Sequence, residues 1–240
     1  MYRDRSDFMS LRQQLTHLVL DSTKRPDAQL ESHLGSIKAF DAHILAKDLR
    51  RRRPRRILEI GSFLGLSTRW ILDVVSPWGG TVVSIDPNIQ HWSFPDPAAI
   101  RSIFLAPHAD RYQWKCGFFG SPKRLQQTLA LHPGIPPIDG SSPMEPFDAV
   151  FIDGDHGYEA VADDFREACR LLRSDGCVYF HDVISHAEVM RLMRELASRG
   201  ECRVRIPGRW IDRLGRLLAN KGLDGIGIVD RCGVVKRTSA

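Results

Sequence analysis

Four short runs constrain the fold of this chain more than any other feature: ILEI (57–60), TVVSID (81–86), FDAVFID (147–153) and CVYFHD (177–182). Each is an apolar stretch of strand length, and each ends in an acid or runs straight into glycine. Longer segments with apolar residues at helical spacing separate them, so strand and helix alternate about five times. Continuous rather than alternating apolar runs belong to strands buried on both faces, as in a parallel sheet covered by helices. In such α/β folds ligands collect at the carboxyl ends of the strands. The residues that end the strands are therefore the first candidates for chemistry.

The remaining elements follow the same logic. The first 50 residues read as two or three short helices, interrupted near Pro26 and Gly35. Apolar spacing and stop signals predict helices over 66–75, 98–105, 122–131, 158–172 and 186–199. Further strands are expected over 112–116, 202–206 and 225–230, and a Pro/Gly/Ser-rich loop over 132–146. Asp163 and Asp164 are expected on the solvated face of their helix. The 240 residues suffice for one α/β domain over 51–240 with a helical arm over 1–50.

No apolar run approaches the roughly 20 residues of a membrane span, and MYRDRSDFMSLRQQL is too polar and acidic for a signal peptide. Five cysteines without CxxC spacing read as reduced thiols, which points to a cytoplasmic protein. The net charge of +5 raises the question of nucleic acid. Much of the excess, however, lies in Arg50-Arg51-Arg52-Arg53-Pro54-Arg55-Arg56, directly before the first strand. That places it at the amino edge of the sheet, away from the strand ends, and argues against a nucleic-acid partner.

At the strand ends, Gly61 and Gly65 open a turn into a helix, where a ligand can approach the backbone and meet free N–H groups. Their GxxxG spacing lacks the second close-approach glycine of a dinucleotide fingerprint. Asp86 ends the next strand and can accept ribose hydroxyls, or serve simply as a turn residue. Asp153 ends the fourth strand, and His181-Asp182 end its expected neighbour. Carboxylates suit Mg²⁺, whereas an imidazole suits Mn²⁺, Fe²⁺ or Zn²⁺ better. Helix capping is the competing role for each. His156, three residues after Asp153, is a histidine, whose free pKa near neutrality suits a general base, although a lone turn histidine is more often structural.

Taken together, E-I-G-S-F-L-G-L-S (59–67), Asp86, D-G-D-H-x-Y (153–158) and F-H-D-V (180–183) resemble the class I S-adenosylmethionine-dependent methyltransferases. Within these the chain is similar to the metal-dependent small-molecule O-methyltransferases, in the branch with macrolide-sugar and rhamnosyl methyltransferases and cephalosporin hydroxylase-like relatives. The resemblance covers roughly residues 36–230. It implies a Rossmann-like, doubly wound α/β fold, with a mostly parallel seven-stranded sheet, an antiparallel last strand and N-terminal helices.

For S-adenosylmethionine the resemblance implies Gly61, Ser62, Phe63 and Ser67 around the methionine part, with Glu59 beneath; Gly65, in the same turn, is also cofactor-binding. Asp86 would hold the ribose, Gly117 and Phe118 would border the adenine and Asp155 the sulfonium end, with Asp153 also among the cofactor-binding residues. It implies a divalent metal, Mg²⁺ or alternatively Mn²⁺, on Asp153, His181 and Asp182, and His156 as base where phenol-methylating relatives carry lysine. Asp153 and His156 would then be the catalytic pair. The acceptor would be a hydroxylated small molecule, a sugar or glycoside before a phenol, and the protein a homo-oligomer. The segment 207–223, with Arg209, Trp210 and Arg213, lies where such proteins place substrate loops; an amphipathic surface helix is the other reading. A nicotinamide-dependent oxidoreductase and a non-catalytic cofactor-binding protein remain the alternatives from other classes.

Overall fold

The computed structural model describes residues 5–23, 37–89, 96–208 and 223–230. Arg209, Trp210, Arg213 and Cys232 lie outside the described residues. Seven strands form the main sheet: β1 (Arg56–Ile60), β2 (Thr81–Asp86), β3 (Tyr112–Cys116), β4 (Phe147–Ile152), β5 (Leu172–Phe180), β6 (Arg203–Arg205) and β7 (Gly227–Asp230). Their order is β3-β2-β1-β4-β5-β7-β6. The first five are parallel, and β7 is antiparallel to both β5 and β6. The chain builds outward from β1 through β3, then returns to lay β4 on the other side of β1. The switch point of the sheet, where such folds bind ligands, therefore lies between β1 and β4.

Among the described residues seven α-helices accompany the sheet: α1 (Arg5–Thr23), α2 (Ala39–Arg52), α3 (Leu66–Val75), α4 (Pro97–Phe104), α5 (Pro122–Leu131), α6 (Tyr158–Leu171) and α7 (Ala187–Arg199). The sheet separates two apolar cores. Ile57, Val82, Ala149, Phe151, Cys177 and Tyr179 join α1 to α4 on one face. Leu58, Val83, Val150, Ile152, Val178 and Phe180 join α6 and α7 on the other. Successive side chains of a strand point to opposite faces, so a strand covered on both sides must be apolar throughout. This is why the strand runs show no alternation.

The N-terminal helices belong to the first core. Phe8 meets Trp70 edge-on at 5.3 Å between ring centroids, and the Trp70 indole donates to the Ala42 carbonyl at 2.8 Å. At the amino edge of the sheet the arginine run is absorbed locally. Arg51 and Arg52 pair with Asp48, Arg52 also with Asp230, and Arg53 lies over Trp78. The Arg55 and Arg56 amides donate to Asp148.

Two details depart from the sequence reading. The expected loop over 132–146 contains Pro137–Ile138, which pairs in parallel with Phe118–Phe119. Two-residue strands are too short to leave a periodic signal. β5 begins at Leu172 rather than Cys177, because Leu172 pairs with Phe147 across a register shift. No helix among the described residues is long and apolar enough to cross a membrane.

Candidate active site

The Ile60 carbonyl accepts from the Asp153 amide at 2.9 Å, and the Gly61 amide donates to Ile85 at 3.0 Å. The ends of β1, β2 and β4 are thus tied together where the glycine turn departs. Gly61 has φ +83°, and a Cβ there would lie 2.3 Å from the Asp153 carbonyl oxygen. Only glycine satisfies both constraints. The chain turns again at Phe63 (φ 42°) and Gly65 (φ 85°) before entering α3.

Asp86 clamps this turn from β2. One carboxylate oxygen accepts the amides of Ser62 and Phe63 at 3.1 and 2.8 Å, and the other accepts Asn88 at 2.8 Å. Arg101, only 1% exposed, braces the same place. It donates to the Phe63 carbonyl at 2.5 Å, lies 3.5 Å from Asp86 and stacks 4.6 Å over Trp114. Beneath the turn, fully buried Glu59 accepts from Ser67 at 2.7 Å and from Thr68 and Ser84 at 2.5 Å each. It thereby links α3 and β2 to β1, and burial pushes its carboxyl up to about 7.

These elements wall a cavity of about 630 Å³, within the range of small-molecule sites. Gly61, Ser62, Phe63, Ser67 and Asp86 line one part, Gly117 and Phe118 another. Asp153, Asp155, His156, His181 and Asp182 line a third part. Glu59 and Gly65, read from the sequence as cofactor-binding, are not in its wall. Glu59 is sealed beneath the turn, and Gly65 ends it by capping α3. Ser62 Oγ is buried in the wall without a partner, an unmet polar group that suits the polar methionine end of S-adenosylmethionine.

At the far side of the cavity the titratable groups converge. His181, 4% exposed, sets Nδ1 2.9 Å from Asp153 and 3.2 Å from Asp182. Successive strand residues point apart, yet His181 and Asp182 meet here. The strand ends at Phe180, and Asp182 adopts φ 58°, a left-handed turn that brings its carboxylate back. Asp182 also lies 2.8 Å from His156 Nε2 and accepts from Ser185 at 2.7 Å. Burial opposes its ionisation, but His156 and His181 hold it far below the usual carboxylate range. The Asp182 hydrogen bond in turn raises His156 above the ordinary imidazole value. Burial pushes His181 down, yet Asp153 and Asp182 outweigh it and hold that ring well above the ordinary value.

Asp153, His181 and Asp182 can each offer one ligand atom within 4.8 Å of the others. Two carboxylates with one imidazole fit a divalent cation of the Mg²⁺ or Mn²⁺ kind. Two partners escaped the sequence reading. His186 stacks on His156 with ring centroids 4.1 Å apart; its only local signal is its place four residues after Asp182. Asp41 of α2, fully buried, has one oxygen 3.9 Å from His181 Nε2 and no local signal at all. Burial pushes its carboxyl up to about 6.

Asp163 and Asp164 correct an expectation. They are 3% and 2% exposed rather than solvated, because Arg124 of α5 reaches across α6. Arg124 pairs with Asp163 at 3.1 Å and with Asp164 at 2.9 Å, and Asp164 enters the cavity wall. Burial pushes the Asp164 carboxyl up to about 8.

Residues 58–183, more than half of the chain, match a family described as a methyltransferase domain. Among solved structures, the O-methyltransferase TomG from Streptomyces achromogenes, involved in tomaymycin synthesis and bound to SAM, is 23% identical. The match covers 91% of this chain and 89% of that one, with a TM-score of 0.56. Cofactor-bound Rv0187 from MTB is 22% identical over 93% and 90% of the two chains, with a TM-score of 0.58. An O-methyltransferase from Bacillus cereus in complex with SAH is 20% identical over 92% and 90%, also with a TM-score of 0.58. The family match and the sheet, with its reversed last strand, agree: the chain belongs to the class I S-adenosylmethionine-dependent methyltransferases.

Proposed function

We propose that this protein transfers the methyl group of S-adenosylmethionine to a hydroxyl oxygen of a small molecule, a sugar or glycoside before a phenol, with a divalent cation and His156 as general base. One observation carries this reading: His156 and the Asp153–His181–Asp182 cluster share a cavity with the Gly61 turn. The O-methyltransferases among the similar structures support oxygen as the accepting atom.

When bound, S-adenosylmethionine would supply an electrophilic methyl carbon, with S-adenosylhomocysteine as the leaving group. The Gly61–Gly65 turn, held by Asp86 and Arg101, would hold its methionine end, while Asp86, Gly117 and Phe118 would border the nucleoside. A divalent cation on Asp153, His181 and Asp182 would lower the pKa of the acceptor hydroxyl. His156 accepts the hydroxyl proton on its imidazole, and Asp182, 2.8 Å from Nε2, stabilises the imidazolium that forms. An aliphatic hydroxyl is far less acidic than a phenol and gains most from a base paired with a cation, which favours the sugar reading.

The test is methyl transfer from labelled cofactor to panels of glycosides and phenols, with and without chelator. Incorporation into glycosides, lost in EDTA and restored by Mg²⁺ or Mn²⁺, is expected. Asp153→Ala and Asp182→Ala should reproduce the loss. Full activity in EDTA removes the cation, and transfer to phenols alone moves the acceptor class.

A further inference from the structure

The imidazole at position 181 poses a question that the cavity wall does not answer. A histidine that ligates through one ring nitrogen carries its proton on the other, and that N–H needs an acceptor. Nδ1 of His181 faces Asp153 and Asp182, so the acceptor has to be found on the Nε2 side. Nε2 is buried and has no hydrogen-bond partner. The carboxylate facing it belongs to Asp41, with Oδ2 at 3.9 Å. Asp41 lies in the first turn of α2, outside the strand-end motifs, and is fully buried.

Asp41 is only half satisfied itself. Oδ2 accepts from the Gly225 amide at 3.2 Å, while Oδ1 is buried with no partner. Two unmet polar atoms, one a ring nitrogen and one a carboxylate oxygen, thus belong to neighbouring side chains in a sealed space. Buried polar atoms left without partners are costly, so a contact between these two side chains is favoured. A small rotation of either side chain would bring the Nε2–H within hydrogen-bond reach of the Asp41 carboxylate. Asp224 completes this group, with one carboxylate oxygen paired to Lys38 at 2.7 Å.

We propose that Asp41 is the positioning residue for His181: it accepts the Nε2–H and so presents Nδ1 to the cation held with Asp153 and Asp182. The inference rests on the cation reading above and deepens it. α2 becomes part of the metal site, and an oriented imidazole tilts the site from Mg²⁺ toward Mn²⁺. Outer carboxylate partners of metal-bound histidines are worth about 10–100-fold in affinity.

The test is Mn²⁺ and Mg²⁺ binding to the full chain after removal of metal by chelator, followed by calorimetry and by the EPR signal of free Mn²⁺. Asp41→Ala should weaken Mn²⁺ binding by about tenfold or more. It should weaken Mg²⁺ less, and leave the affinity for S-adenosylhomocysteine intact. Asp41→Asn keeps an acceptor oxygen and should recover most of the loss; it also serves if the alanine variant folds poorly. In a His181→Gln background the Asp41 substitutions should have no further effect. Equal Mn²⁺ affinity in wild type, Asp41→Ala and Asp41→Asn overturns the role of Asp41 while leaving the cation reading standing. A wild-type protein that binds neither ion overturns both.

Discussion

His156 and His181 share a side chain and differ in surroundings. His156 stands at the cavity with a third of its side chain exposed, flat against His186, whereas His181 is enclosed among three carboxylates. In the proposed mechanism the first is the ring that takes the substrate proton. Replacing it with alanine should lower kcat by about 10²–10⁴ while the affinity for S-adenosylhomocysteine stays constant. Single-turnover kinetics beside calorimetry checks this, and an unchanged rate removes His156 from the reaction. Glu59 makes a different kind of prediction. Its ordinary pKa of 4.5 rises to about 7 in the folded protein, so the fold holds the extra proton between those values. Stability from this group is complete below about 4.5 and is lost as pH rises through about 7. Glu59→Gln, fixed in the neutral form, should therefore match wild type near pH 5 and exceed it near pH 8. The gain is bounded at roughly 3 kcal/mol. Urea unfolding at the two pH values measures it; parallel curves would show that Glu59 remains ionised when buried.

Among elements, the turn between β1 and α3 has the least freedom. Gly61→Ala meets a backbone carbonyl 2.3 Å away that cannot step aside without shifting β4, whereas a Cβ at Gly79 meets nothing within 4 Å. Both glycines have positive φ, so the pair separates strain from collision. Gly79→Ala should cost about 1–2 kcal/mol from conformation alone. Gly61→Ala should cost more and weaken S-adenosylhomocysteine binding at least about tenfold, since about 1.4 kcal/mol of lost contact is already tenfold. Thermal melts and calorimetry on both variants decide the matter. The boundaries of α3, β2 and α5 fall where local spacing and stop signals put them, because periodicity, Gly65, Asp86 and Ser121 act within a few residues. The buried face of α6 was illegible for the opposite reason. Asp163 and Asp164 look solvated until Arg124 arrives from α5 to neutralise them.

For the whole molecule, α1 and α2 share one apolar core with α3 and the sheet. Phe8→Ala, which strips the edge contact from Trp70, should cost about 3–5 kcal/mol. The loss should appear in a single transition, with tryptophan fluorescence and far-UV circular dichroism superimposing. A separate early transition would make the N-terminal helices an independent arm. The sequence by itself determined the alternation of strands and helices, the strand ends as the active edge, and the candidacy of Asp153, His156, His181 and Asp182. Those features are written in periodicity and residue type, which act over short stretches of chain. Tertiary structure alone decided that Asp182 turns back to meet His181, that Glu59 lies sealed beneath the cofactor turn, and that Asp41 stands behind His181. The last two depend on packing between segments far apart in sequence, whose burial raises the Glu59 and Asp41 carboxyls, whereas at Asp182 and His181 the contacts between carboxylate and imidazole outweigh burial.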